Sequence, residues 1–244
     1  MDAINIQELR VDLAAAFRLA VRMDWHESVG NHFSLAVSQD GKKFLMNPRW
    51  RHFELIRASD LLLLDSDDES TMSRPDAPDP TAWCIHGSIH AALPHARCVL
   101  HLHPPYATAL ATLADPRMPV IDQNTARFHG RLAIDAEYGG MADNRAEGAR
   151  LVRALGDKRH MVMGNHGVLV TAPTVAEAFE DMYFLERAAR TVVLAYSTGK
   201  PLREMPPDVA EATARCWDEY IDSAYAHFRD LKALLDRQDR SYRD

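Results

Sequence analysis

VLHLHPPYAT, residues 99–108, closes an apolar run with two histidines one residue apart and then stops it with two prolines. Side chains alternate along a strand. A strand over CVLHLH (98–103) therefore turns His101 and His103 to the face of Val99, and Cys98, Leu100 and Leu102 to the other. Two imidazoles so placed can reach one divalent ion about 2 Å from each. The pattern alone is weak: with 12 histidines in 244 residues, chance supplies an HxH roughly 0.6 times. A further histidine adds to it. MGNHGVLV puts His166 between two apolar runs, flanked by Asn165 and Gly167, where a side chain at 167 would obstruct a tight turn. A plain hairpin turn explains that stretch by itself. With the HxH, it supplies the third neutral nitrogen that a catalytic metal site with an open position usually has.

The rest of the composition sets the class. A chain of 244 residues, 47% hydrophobic and 26% charged, is long enough to bury a sizeable core. A net charge of −7 without a basic stripe argues against a nucleic-acid partner. The acidic run DSDDES (65–70) reads as a solvated loop. Cys84, Cys98 and Cys216 form no CxxC pair, which suits a reducing compartment. No secretory signal opens the chain and no apolar stretch is long enough for a bilayer, so a cytoplasmic protein with no membrane partner is expected.

Apolar spacing of three and four over residues 6–24 predicts an amphipathic helix. Strands are expected at 32–37, 43–47, 61–65, 98–103, 118–123, 131–135 and on both sides of His166 (160–171). Residues 71–81, rich in proline and aspartate, read as a loop, and Ala82 to Ala92 as a helix. Pro104 or Pro105 suits the first turn of a helix through YATALATLA. Thr174 with Glu177 forms a capping box ahead of a long helix, and 208–237 is helical again. Helices flanking short strands give an α/β or α+β domain.

HLHPPYATAL, followed 63 positions after His103 by the histidine of NHGVLV, resembles the class II aldolase/adducin family. SVGNHFSLAV is similar to that family's GNxS loop, with one residue extra between Asn31 and Ser34. WCIHGSIHAALPHARCVLHLH and TVAEAFEDMYFLERAAR are similar to its segment leading into the metal strand and to its last long helix. The resemblance covers roughly residues 8 to 200. It implies an α/β fold: an α/β/α layered single domain with a central, mostly antiparallel sheet, spanning 1–244 with the helical segment 203–244 extending from it. It implies a homotetramer with active sites at subunit boundaries, a small-molecule substrate, and a divalent metal ion (Zn, Mn or Fe) held by His101, His103 and His166.

Three replacements separate this chain from the sugar-phosphate aldolases. Ala82 stands where they carry a proton-shuttling glutamate, Gln123 lies near the place of a tyrosine, and Asn47-Pro48-Arg49-Trp50 replaces their phosphate loop. In these segments, and in QNTARFHG and LAIDAEYGG, it resembles the adducin-like branch. The catalytic candidates are His86 and His90, one turn apart on a helix and able to move protons near neutral pH, with Gln123. Substrate binding is assigned to Asn31, His32, Ser34 and the bidentate-capable Arg49; Tyr138 before Gly139-Gly140 reads as a turn. The expectation is a metal-dependent lyase, decarboxylase or aldolase, for a non-phosphorylated hydroxy- or oxo-carboxylate. The alternatives are a three-histidine Fe(II) oxygenase and a non-catalytic, adducin-like scaffold.

Overall fold

The computed structural model describes residues 5–140 and 144–244. The chain runs α1 (Ile6–Arg22), β1 (His32–Ala36), β2 (Lys43–Met46), β3 (Leu62–Asp65), α2 (Pro80–Ala92), β4 (Cys98–Leu102) and α3 (Pro105–Ala111). It continues through α4 (Gln123–Ala126), β5 (Leu132–Asp135), α5 (Arg145–Leu155), β6 (His160–Met163), β7 (Gly167–Ala172), α6 (Val175–Ser197), α7 (Pro207–Glu219) and α8 (Ile221–Asp236). The strands form one sheet in the order β3-β2-β1-β4-β7-β6-β5. Every neighbouring pair is antiparallel except β5 with β6.

The HxH strand β4 is the middle strand, and its alternation divides the core. Cys98, Leu100 and Leu102 pack with Phe33, Leu35, Val168 and Val170 beneath α1, α3, α6 and α8. Val99 points the other way, with Met161 and Leu169, against Ile85 and Ile89 of α2 and Leu151 and Leu155 of α5. The result is the α/β/α layering that the resemblance implies, with the sheet buried on both faces. Phe17 of α1 stacks on Phe33 of β1 at 4.5 Å and 11°, and Phe53 meets Phe17 edge-on at 4.6 Å. At roughly 1.5–3 kcal/mol for each fully buried ring, this trio anchors α1 to β1, the strand beside β4 that leads into the site.

Several sequence expectations change. Residues 118–123 do not form a strand. Asp122 caps α4, accepting from Thr125 N at 2.7 Å, and Val120 gives its carbonyl to Met205 N rather than to the sheet. The 71–81 loop holds a 3-10 turn at its start, and α2 begins two residues early because Asp79 caps it and Pro80 fills its first turn. Helix α5, whose alternation of arginine and alanine carries a weak apolar stripe, was not anticipated. The segment 203–244 folds back on the domain: α8 lies on α6, and Tyr242 is 1% exposed in the core.

Directly after the prolines, the first turn of α3 has backbone N–H groups with no partner inside the helix. Glu186 of α6 supplies one: its carboxylate accepts from Tyr106 N at 2.9 Å and Ala107 N at 2.8 Å. Burial pushes that carboxyl above its ordinary value. Replacing Glu186 by alanine strands two buried donors and should lower stability by about 1–3 kcal/mol. Glu186→Gln, which keeps one acceptor, should fall between; urea denaturation of the three proteins checks the order.

Candidate metal centre

His101 is buried near the end of β4 and His103 follows the strand on the same face, while His166 sits in the turn between β6 and β7. Asn165 takes the left-handed conformation (φ +52°) that lets this turn close. Gly167 is required for a different reason from the one the sequence offered. Its own φ is ordinary, but a Cβ there would run into the His103 ring and the Leu102 carbonyl. The three rings form a triangle with centroids 4.7, 4.8 and 5.0 Å apart. One nitrogen from each lies within 4.8 Å of the others, and this is the metal-capable cluster found among the described residues.

Hydrogen bonding turns the lone pairs of this triangle inward. His101 Nδ1–H donates to the Val168 carbonyl at 3.1 Å, and His103 Nδ1–H to the Glu27 carboxylate at 2.5 Å. With both rings in the neutral form, as metal ligands require, the two Nε2 atoms are acceptors, and they face each other at 3.3 Å. Two lone pairs at that distance repel unless a cation lies between them. Two nitrogens on one tetrahedral zinc are about 3.4 Å apart, so the pair fits a metal ion. Burial lowers the pKa of His101 well below its ordinary value and that of His166 to about 4, with His103 adding to the effect at His166. At neutral pH these two rings are uncharged and able to act as ligands.

The centre forms part of the wall of a cavity of about 300 Å³, shared with Val29, Asn31, His32, Arg49, Trp50, Asp79, Ala82 and Tyr138. Asn31, at φ +50°, accepts from Glu27 N–H on its Oδ1 at 2.8 Å, while its Nδ2 is buried without a partner among the described residues. Arg49 lies 3.6 Å from Asp79 with its guanidinium over Trp50. Asp79 also caps α2, taking both N and Oγ1 of Thr81. Ala82 lines the wall, so no acid stands at the family's glutamate position.

Other expected site residues lie elsewhere. Ser34 is fully buried and turned toward α2 and not into the cavity; its Oγ lies 2.5 Å from His86 Nδ1 and 2.6 Å from His90 Nε2. His86 Nε2 lies 2.7 Å from His32 Nδ1, and His90 Nδ1 2.7 Å from the Ala96 carbonyl. His86 and His90 are therefore interior groups behind His32. Burial lowers His32 to about 3, His90 to about 4 and His86 well below its ordinary value, so neither of the α2 histidines titrates near neutrality as the sequence reading had it. Gln123 begins α4, takes the Trp217 indole N–H on its carbonyl, and borders a shallow groove with Met205 and Val209, away from the histidines. Sequence reasoning missed Glu27 and Asp79, whose roles are set by loop contacts with no local pattern, and left Tyr138 as a turn. Its ring is 6.0 Å from His166.

Reconstitution with Zn²⁺ should give about one ion per chain, and His101→Ala/His103→Ala close to none; elemental analysis decides. Glu27→Gln should weaken metal affinity about 10–100-fold, as loss of a partner behind a ligand does. The histidines also give a pH dependence. His32 and His90 are neutral in the fold down to about pH 3 and 4 but protonate near 6.5 when unfolded. The unfolded chain binds more protons in that window, so stability is full above 6.5 and falls as the pH drops toward 4. A metal-free urea midpoint that stays flat from pH 7 to 5 would contradict this.

Residues 11–193 match the family described as Class II Aldolase and Adducin N-terminal domain. A Caulobacter vibrioides protein named for aldolase class 2 is 33% identical over 208 residues, 85% of this chain and 80% of that one. Decarboxylase NovR of Streptomyces niveus is 26% identical over 203 residues, 83% of this chain and 74% of its own. The crystal structure of an aldolase II superfamily protein from Pseudomonas syringae superposes with a TM-score of 0.89 at 32% identity, covering 99% of this chain and 97% of that one. With the match running from α1 to α6 and through all three histidines, the chain belongs to the class II aldolase and adducin family.

Proposed function

We propose that the protein is a metal-dependent lyase that breaks a C–C bond of a small, non-phosphorylated hydroxy- or oxo-carboxylate, with decarboxylation favoured over aldol cleavage. The observation that carries this reading is the convergence of three neutral histidine nitrogens on a cavity of about 300 Å³ whose wall has alanine where an acid-base glutamate would stand. Aldol cleavage needs a base to take a hydroxyl proton. Loss of CO₂ needs none, because the electron pair of the breaking bond moves onto a carbonyl oxygen of the substrate, which in a hydroxy-aromatic acid is that of the ring-protonated keto tautomer. A divalent ion held by His101, His103 and His166 supplies the positive charge this oxygen requires. Likeness to a protein named a decarboxylase supports the same choice.

The chain's other residues bind and orient. Arg49 can turn its two N–H groups from Asp79 to a substrate carboxylate, and Trp50 beside it occupies the space a phosphate loop would need. Asn31 Nδ2 offers a donor that the protein leaves unused. Val29, Ile85 and Ala82 make the wall apolar, which strengthens each of these interactions. Trp50, 68% exposed at the rim, supports completion of the site by a second copy within a homo-oligomer. Absence of a carboxylate among the three ligands is what supports the oxygenase as a second reading.

With Mn²⁺ or Zn²⁺, a panel of β-oxo and hydroxy-aromatic acids should yield CO₂ from at least one member, and His103→Ala should lower that rate about a hundredfold or more. Oxygen uptake by the Fe(II) form would move the assignment to the oxygenase. Failure to hold any metal would leave the scaffold.

A further inference from the structure

The imidazoles behind the cavity form a single chain of hydrogen bonds from His32 through His86 and Ser34 to His90, and its direction is set at the buried end. The Ala96 carbonyl can only accept, so His90 carries its proton on Nδ1. A neutral imidazole has one donor and one acceptor, which leaves His90 Nε2 to accept. The Ser34 hydroxyl has one proton and gives it to that nitrogen, so it accepts from His86 Nδ1–H. His86 Nε2 in turn accepts from His32 Nδ1–H. Each link permits one tautomer, and the last leaves His32 with a bare Nε2. His32 is the member of the chain that borders the cavity, its ring 4.9 Å from that of His101.

The residue before it has the opposite polarity. Successive strand residues face opposite sides, but Asn31 precedes β1 with φ +50°, and both it and His32 border the cavity. Asn31 Oδ1 is used by Glu27 N, and Nδ2, on a side chain 6% exposed, has no partner among the described residues. Asn31 therefore donates where His32 accepts.

We propose that the Ala96–His90–Ser34–His86 relay fixes His32 Nε2 as a hydrogen-bond acceptor in the cavity, and that with Asn31 Nδ2 it selects a substrate hydroxyl: a 2-hydroxy acid in preference to a 2-oxo acid or an ether. A hydroxyl satisfies both groups, accepting from Asn31 and donating to His32. A carbonyl or ether oxygen accepts from Asn31 and leaves His32 unpaired. The selection rests on the lyase reading for its purpose and narrows that reading to acids that carry a 2-hydroxyl beside the carbonyl that takes up the electron pair. His86, Ser34 and His90 act as positioning residues, through His32 and not on substrate.

Nitrogen-15 NMR of histidine-labelled, metal-free protein at pH 7 tests the relay without turnover or metal. His32, His86 and His90 should all be protonated on Nδ1, with His32 Nε2 unprotonated, and Ser34→Ala should turn His32 into a mixture of tautomers. A proton on His32 Nε2 in the wild type, or one unchanged tautomer in Ser34→Ala, overturns the proposal. Lactate, pyruvate and 2-methoxypropanoate are then titrated into protein given Zn²⁺, followed on the His32 Nε2 resonance. Lactate should bind about tenfold tighter than the other two, the worth of one hydrogen bond, and the preference should vanish in His32→Phe. Equal affinity for all three overturns the selection, whereas a lyase assay that yields no CO₂ removes the reaction and leaves the tautomers as measured.

Discussion

The antiparallel register of β1 on β4, which sets His32 opposite His101 and Phe33 opposite Leu100, is the constraint on which the site depends. Side chains repeat every second residue, so a slip of one position would send His101 and His103 into the apolar layer beneath α1 and α6 and bring Leu100 and Leu102 to the cavity. The register is held by burial on both faces. Phe33 is locked under Phe17 and Phe53, and Val99 sits against α2 and α5. Placing three imidazoles in a low-dielectric wall is thus an outcome of apolar packing, and the polar contacts only aim them.

Aiming is done by acceptors fixed in the backbone or loops: the Val168 carbonyl for His101, Glu27 for His103, the Ala96 carbonyl for His90. Because all the ligand nitrogens are neutral, a dication bound there keeps its full charge, apart from what Glu27 offsets through His103. Such a centre favours an anionic ligand on electrostatic grounds. Arg49 adds a second positive group to the same wall, and its partner Asp79 is committed to the start of α2. On the proposed reading, these surroundings suit a carboxylate better than a neutral sugar once Arg49 turns away from Asp79.

The fold was legible where periodicity and caps agree. The alternation of CVLHLH, the turn at Asn165, and the Thr174–Glu177 cap each describe an interaction within a few residues, and all are seen. Residues 118–123 misled because their apolar spacing is that of a strand while a side chain, Asp122, diverts the backbone into a helical turn. The convergence of His101, His103 and His166 was legible because a strand and a turn fix their directions. Glu27 and the pairing of Asp79 with Arg49 were not, since they are contacts between loops distant in sequence, and the buried placement of Ser34 was not, since it depends on which helix covers β1. Gln123 was placed by likeness to a segment that here has its own local structure.

Gly167 and His103 are 64 positions apart, yet the imidazole ring occupies the space a Cβ at 167 would take. The two positions are thus a single steric unit. The Leu102 carbonyl fills the rest of that space, so shortening the side chain at 103 alone would not free position 167. The corner that brings His166 toward His103 is thus closed by backbone as well as by the ring, and only glycine passes between them.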